Sequence, residues 1–271
     1  MNELKICETC GTQYGAEHRH TDLCPICNDD RQYIGDNGQR WTNMDHLKKD
    51  HINKFRQINH RLYTVKTEPA FALGQRAFLL LLPNGNILWD CIPLLDETSI
   101  DFIKSKGGLK AIVFSHPHYY STMNDWAAAF DCPIYIHQND AGFVFCKGDA
   151  IRFWEGERLH LWDDIGIVHI GGHFPGSCLL QIDSHSPKGT LLCGDSLYIA
   201  KSRKHIAIMY SYPNQILLSK KEFIAAYGRC SGLRFDTLYG AFEGQGIEGN
   251  AYQIFTASMN RYKGSYEIPE F

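Results

Sequence analysis

Apolar residues in this chain gather in short runs bounded by turn-forming residues, the pattern of strands. Ala77 to Leu82 and Ile87 to Trp89 are two such runs. Pro83-Asn84-Gly85-Asn86 between them predicts a turn, so the segment reads as strand, turn, strand, ending at Asp90. Leu109 to Ser115, Ile165 to Ile170 and Thr190 to Cys193 predict three more strands. A helical period shows in two places. Met44, Leu47, His51, Phe55 and Ile58 recur at three- and four-residue steps and predict a helix over 43–58, capped by Thr42 or Asn43. Lys48, Lys49, Lys54 and Arg56 then form its solvated basic face. Residues 251–262 predict a final helix, with Gly264 beyond its end.

Two cysteine pairs precede these elements. Cys7-x2-Cys10 and Cys24-x2-Cys27 are separated by thirteen residues, the pattern of a structural zinc site with each pair on a tight knuckle. Gly11 follows the first pair and Pro25 lies inside the second. Four thiolates close the coordination shell and leave no open place for substrate. A thioredoxin-like role would need one such pair at a helix start, not two matched pairs. His18 and His20, between the pairs, read as exposed loop residues. So small a module has little core of its own, and metal stands in for apolar burial. Its charges are mixed: Lys5, Arg19, Arg31 and Arg40 face Glu3, Glu8, Glu17, Asp22, Asp29, Asp30 and Asp36. That balance does not suit a phosphate backbone, so a protein contact is expected here and no nucleic acid.

The remaining chemistry sits at strand ends. His116 and His118 follow the run ending at Ser115, and residues i and i+2 of an extended segment point the same way, so both can grip one ion. His173 follows the second run and Asp195 the third, each flanked by glycine. Imidazole and carboxylate suit zinc, iron or manganese.

In this order, Ser115-His116-Pro117-His118, Gly172-His173-Phe174-Pro175-Gly176-Ser177 and Gly194-Asp195-Ser196 resemble the metallo-β-lactamase superfamily over residues 61–271. The resemblance implies an α/β (α+β) fold, an αβ/βα sandwich of two mixed sheets with helices outside, here carrying a small zinc ribbon. It also implies that His116, His118 and His173 hold the first metal, with Asp195 shared with a second. The family's first motif runs His-x-His-x-Asp-His, but Tyr120 and Ser121 occupy its last two places. Its late histidine is missing from Leu238 to Gly244. A one-metal site is therefore expected. Asp125 and Glu243 are the candidates to replace the lost ligands, with Tyr120 a third. The plainer reading gives Asp125 to the first turn of a helix capped by Ser121 or Thr122, Glu243 to solvent and Tyr120 to packing.

The function that the resemblance implies is that of a mononuclear metallo-hydrolase acting on a thioester, lactone or similar small acyl substrate. Asp195 would accept the proton, orient the water or add a ligand. Two alternatives use the same residues. His116, His173 and Asp195 could form the two-His, one-carboxylate face of an iron sulfur dioxygenase, or the site could belong to a non-catalytic scaffold. Ser177 lacks the nucleophile elbow, and Gly240 to Gly249 lacks a P-loop lysine. Tyr119, Tyr120, Phe174, Tyr198 and Phe242 are candidates to line a pocket or to fill the lost second site.

Length and composition set the frame. The 271 residues suit one large domain with a small appendage: a ribbon over 1–42, a linking helix over 43–60 and the catalytic domain over 61–271. A net charge of −3 argues against a bulk nucleic-acid binder. No apolar run is long enough to span a bilayer and no secretion signal opens the chain, so the expected place is the reducing cytoplasm.

Overall fold

The computed structural model describes residues 4–18 and 20–267. The chain divides into two compact units, Met1–Trp154 and Glu155–Phe271.

The first unit opens with a three-stranded antiparallel sheet, in the order β2-β1-β3, of β1 (Lys5–Cys7), β2 (Gln13–Tyr14) and β3 (Trp41–Thr42). Its small core is Tyr14, Ile26 and the four cysteines. Leu73, Phe143 and Phe145 pack against that core, so this module borrows apolar surface from well beyond residue 42.

Helix α1 (Met44–Asp50) follows, with Asn43 as its cap: the side chain accepts from the His46 N–H at 2.8 Å. The helix expected over 43–58 stops there. His51 is already extended (φ −132°, ψ 151°), and Ile52–Asn59 form strand β4. The register with β5 (Leu62–Glu68) places Phe55 opposite Val65. Asn53 decides the change. Its buried amide donates to Leu94 O and Ser99 Oγ, both at 2.9 Å, and accepts from Thr67 Oγ1. Phe55 packs on Phe102 with ring centroids 4.1 Å apart. These long-range contacts override a 3.6-residue period that is only weakly apolar.

The main sheet of this unit adds β6 (Arg76–Leu80), β7 (Ile87–Trp89), β8 (Ala111–Val113), β9 (Ile134–His137) and β10 (Ile151–Trp154), with helices α2 (Glu97–Ser105) and α3 (Met123–Phe130) between strands. Its order is β10-β9-β8-β7-β6-β5-β4, parallel from β10 to β7 and antiparallel beyond. The predicted hairpin is β6–β7. Strand β8 lies in the sheet interior with all three residues buried, which explains its unbroken apolar run.

The second unit holds a six-stranded sheet of β11 (Arg158–His160), β12 (Ile165–His169), β13 (Cys178–Ile182), β14 (Thr190–Leu192), β17 (Thr237–Tyr239) and β18 (Gly246–Ile247), in that order. Only β14 and β17 run parallel. Between them come the short pair β15 (Tyr198–Ile199) and β16 (Ile206–Ala207) and helix α4 (Lys220–Arg229). Ser219 and Glu222 give α4 a capping box. Helix α5 (Ala251–Ser265) closes the described chain and buries Phe255 and Met259 beside Phe223 and Phe235. It runs through Gly264 instead of stopping before it; Gly264 sits in the last turn, where its low helix propensity costs little. No helix among the described residues is long and apolar enough to cross a membrane.

Candidate metal centres

His116 leaves the end of β8 in extended conformation and starts a 3-10 turn, Pro117–Tyr119, that carries His118. Both imidazoles are buried, with ring centroids 5.1 Å apart. Ser115 sits behind them. Its hydroxyl donates to Asp90 Oδ2 at 3.0 Å and lies 2.8 Å from His116 Nδ1. A hydroxyl already donating to a carboxylate can only accept from the ring, so Nδ1 carries the proton and Nε2 is left as the nitrogen that a metal could use. Asp90 also accepts the Ser115 N–H at 2.8 Å and holds a left-handed backbone (φ 61°).

In the second unit, His173 lies in a tight loop after β12. Gly171 (φ 71°) and Gly172 (φ 84°) make the turn. The Ile170 and Gly171 N–H groups both donate to Ser177 O, and Ser177 Oγ accepts the Phe174 N–H at 2.8 Å. Arg229 of α4 donates to Ile170 O at 3.1 Å. His173 Nδ1 meets Tyr210 O at 2.7 Å; a carbonyl only accepts, so Nε2 is again the nitrogen left for a metal. Asp195 follows β14 through Gly194 (φ 53°) and is 7 % exposed. Tyr212, tilted against His173 at 5.4 Å, has its phenol pushed well up by burial and then by the Asp195 charge.

His116, His118, His173 and Asp195 each offer one ligand atom, and these atoms all lie within 4.8 Å of one another. Donors around one ion at bond lengths of ~2.0–2.2 Å are themselves ~3.3–4.3 Å apart, which lies inside that bound.

The positions where the sequence departs from the metallo-β-lactamase motif are filled by packing. Tyr120 is buried edge-on to Phe114, with centroids 5.0 Å apart. Ser121 is buried with φ 43°. Thr122 stands at the start of α3, but its hydroxyl donates to Pro93 O at 3.0 Å and not to the helix, so the expected side-chain cap is not made. Asp125 lies in the first turn of α3 as expected, and accepts from Gln13 Nε2 at 2.8 Å. Glu243 is exposed. Among the described residues, neither Asp125 nor Glu243 joins a group able to hold a metal.

Of the candidate pocket aromatics, Tyr119, Tyr120 and Phe174 are buried and act as packing. Tyr198 and Phe242 are half-buried, and Tyr198 stacks on Tyr212 at 4.8 Å. Tyr210 and Tyr212 escape a reading of the sequence because a backbone carbonyl and a distant aromatic leave no local signature.

The second cluster is Cys7, Cys10, Cys24 and Cys27, all buried, with their sulfurs within 4.8 Å of one another. Cys7 and Cys27 sulfurs are 3.7 Å apart and those of Cys10 and Cys24 3.6 Å. A disulfide needs ~2.05 Å, whereas the edge of a tetrahedral zinc–thiolate shell is ~3.8 Å. Burial and then hydrogen bonding from neighbouring sulfurs push the Cys10 thiol well above its usual range. Four sulfurs this close cannot all ionise unless a cation compensates them. His20 is exposed and His18 half-buried, and neither joins the cluster.

No family model matches the sequence. Among solved structures, the chain is similar to TMB-1, with TM-score 0.59 and 15% identity over 79% of this chain and 98% of that one. It is also similar to TTHA1623 in a di-iron-bound form, with TM-score 0.52 and 18% identity over 70% and 98% of the two chains. A B3 metallo-β-lactamase with an active-site glutamic acid matches at TM-score 0.53 and 16% identity, over 80% and 92%. These likenesses give the fold. By sequence, the chain is 42% identical to the uncharacterized protein YmaE of Bacillus subtilis (strain 168) over 262 residues, 95% of this chain and 94% of that one. With that identity along nearly its whole length, the chain belongs to one family with YmaE, on a metallo-β-lactamase-type fold that carries a four-cysteine cluster and a His/Asp site.

Proposed function

We propose that the protein is a metal-dependent hydrolase whose main site takes a single ion through His116, His118 and His173, with Asp195 beside it. The observation that supports this most is the convergence of three imidazoles and one carboxylate within 4.8 Å. The donor set suits zinc, iron or manganese; the di-iron form of TTHA1623 keeps iron in view. A divalent ion held there would supply Lewis acidity and make water a better nucleophile near neutral pH.

The rest of the chemistry falls to the chain. The Ser115 hydroxyl and the Tyr210 carbonyl fix the His116 and His173 rings. The Asp195 carboxylate accepts a proton from water and returns it to the leaving group. Tyr198, Tyr212 and Phe242 offer an apolar wall for a substrate's acyl part. A thioester, lactone or related acyl bond is the substrate class. Single-ion occupancy is supported by the packing of Tyr120, the exposure of Glu243 and the hydrogen bond that engages Asp125.

The four-cysteine module reads as a structural zinc site and a protein-contact surface, with no nucleic acid or membrane partner. Ten buried cysteines, none of them in a disulfide, support a reducing, cytoplasmic setting.

Elemental analysis with anomalous scattering tests the site, and hydrolysis of thioesters, lactones, β-lactams and phosphoesters under zinc, manganese and iron tests the activity. Two ions around Asp195 would overturn the single-ion claim. An ion bound with no turnover on any substrate would favour the scaffold reading. Oxygen uptake on a persulfide by the iron form would favour the dioxygenase.

A further inference from the structure

Gln13 is the hinge between the four-cysteine module and the histidine segment. It stands three residues after Cys10, on β2, and is 4 % exposed. Three of its polar groups reach out of the module. Its backbone N–H donates to Ser121 O at 3.1 Å. Its side-chain N–H donates to Asp125 Oδ2 at 2.8 Å. Its side-chain carbonyl accepts from Cys146 Sγ at 3.8 Å. The Gly15 N–H adds a bond to Phe145 O at 3.0 Å.

Ser121 lies three residues after His118 and holds φ 43°, a conformation that a serine adopts only where its surroundings impose it. The Gln13 backbone N–H holds its carbonyl, and the Gln75 side chain donates to its hydroxyl at 3.4 Å. The same Gln75 amide donates to Cys91 O, and the Cys91 N–H reaches Tyr119 O in the turn that carries His118. The position where the resemblance would place a metal-ligating histidine is here an anchor for the cysteine module.

We propose that Gln13 is a positioning residue that couples the two metal centres: occupancy of the four-cysteine site holds β2 in place, and β2 through Gln13 sets the conformation of residues 116–125 and so the affinity of the main site for its ion. The coupling rests on the reading of His116 and His118 as metal ligands, not on any hydrolytic activity. By thermodynamic reciprocity, an ion at the main site also tightens the cysteine site.

The full-length protein tests this by two readouts. One is main-site zinc affinity, by competition with a chromophoric chelator. The other is hydrogen exchange over residues 116–126. Gln13→Ala should weaken the main site about tenfold, the scale of an outer-shell loss, and speed exchange, with the cysteine site still filled. Asp125→Ala removes the same hydrogen bond from the other side and should act alike, which covers a failure of Gln13→Ala to fold. Asp125→Asn keeps the acceptor oxygen and should restore wild-type values. A lower melting temperature with unchanged affinity and exchange would overturn the proposal, as would an Asp125→Asn variant no better than Asp125→Ala. Exchange decides even if the main site takes no zinc: stripping the cysteine site should then loosen residues 116–126, and no change there would overturn the coupling. Absence of turnover alone would sink only the hydrolase reading.

Discussion

Ser115 Oγ stands 2.8 Å from His116 Nδ1 while donating its own proton to Asp90 at 3.0 Å. The pair fixes both the tautomer and the tilt of His116. Ser115→Ala keeps the buried volume nearly constant but strips that acceptor. Main-site metal affinity should fall about 10- to 100-fold, with the cysteine site unaffected when it is compared with the main site empty. Chelator competition at each site separately checks it; equal wild-type and variant affinities would refute the outer-shell role.

The four residues of the His/Asp group were legible because their segments follow apolar runs, although His118 sits in a 3-10 turn and not in the extended segment expected. Ser115 and Asp90 were legible only as strand ends: nothing in the sequence says that one accepts from His116 and the other from Ser115. The helix expected over 43–58 failed for a related reason. Local periodicity cannot see that Asn53 is bonded to Leu94, Ser99 and Thr67, partners up to 46 residues away. Gln13 was invisible for the same cause, since its partners lie at Ser121, Asp125 and Cys146. By contrast, the cysteine cluster was fully legible, because ligand spacing within a knuckle is a local property.

Cys24 makes contacts beyond the sulfur cluster. Tyr14 Oη lies 2.9 Å from its sulfur and the Cys27 N–H points to it at 3.4 Å. Cys24→Ser should lose one zinc per chain and open residues 4–42 to protease. The loss should spread to Phe143 and Phe145, which pack on the module. Zinc content and limited proteolysis measure this; a fully zinc-loaded, resistant variant would refute the structural role.

Gly11 is required twice over. Its φ is 82°, and a Cβ there would sit 2.5 Å from Pro93 Cγ, on a ring that cannot swing aside. Gly11→Ala should cost about 2–3 kcal/mol, combining left-handed backbone strain with the clash. Denaturant titration reads it directly, and a cost under about 0.5 kcal/mol, the range of ordinary surface changes, would contradict the packing.

Asp236 supplies a pH-dependent element. Burial pushes its carboxyl up, but hydrogen bonds from Ser186 Oγ, Thr237 Oγ1 and the Lys188 N–H together outweigh it, and the pKa falls below the usual value. A depressed folded pKa contributes stability above the unfolded value of about 3.9 and loses it as pH falls through the folded pKa. Asp236→Asn should therefore destabilise by about 1–2 kcal/mol at pH 7. The gap to wild type should narrow below about pH 4. Melting curves at pH 7 and pH 3 test both halves, and a gap that widens in acid would reverse the sign.

The sharpest test of the proposed reaction is Asp195. It is the one carboxylate in the four-residue group, 7 % exposed, at the left-handed turn after β14. Asparagine keeps its shape and one acceptor oxygen but cannot take a proton. If Asp195 handles the proton, Asp195→Asn should lower kcat by about 10²- to 10⁴-fold, with KM changed far less. If it serves chiefly as a ligand, metal affinity should fall first, and saturating metal should restore much of the rate. Measuring kcat at low and saturating zinc separates the two. His118→Ala, which deletes a neutral donor, should behave as the ligand case whatever Asp195 does. A full rate from Asp195→Asn at every zinc concentration would remove the carboxylate from the chemistry and leave the three imidazoles as the whole of the site.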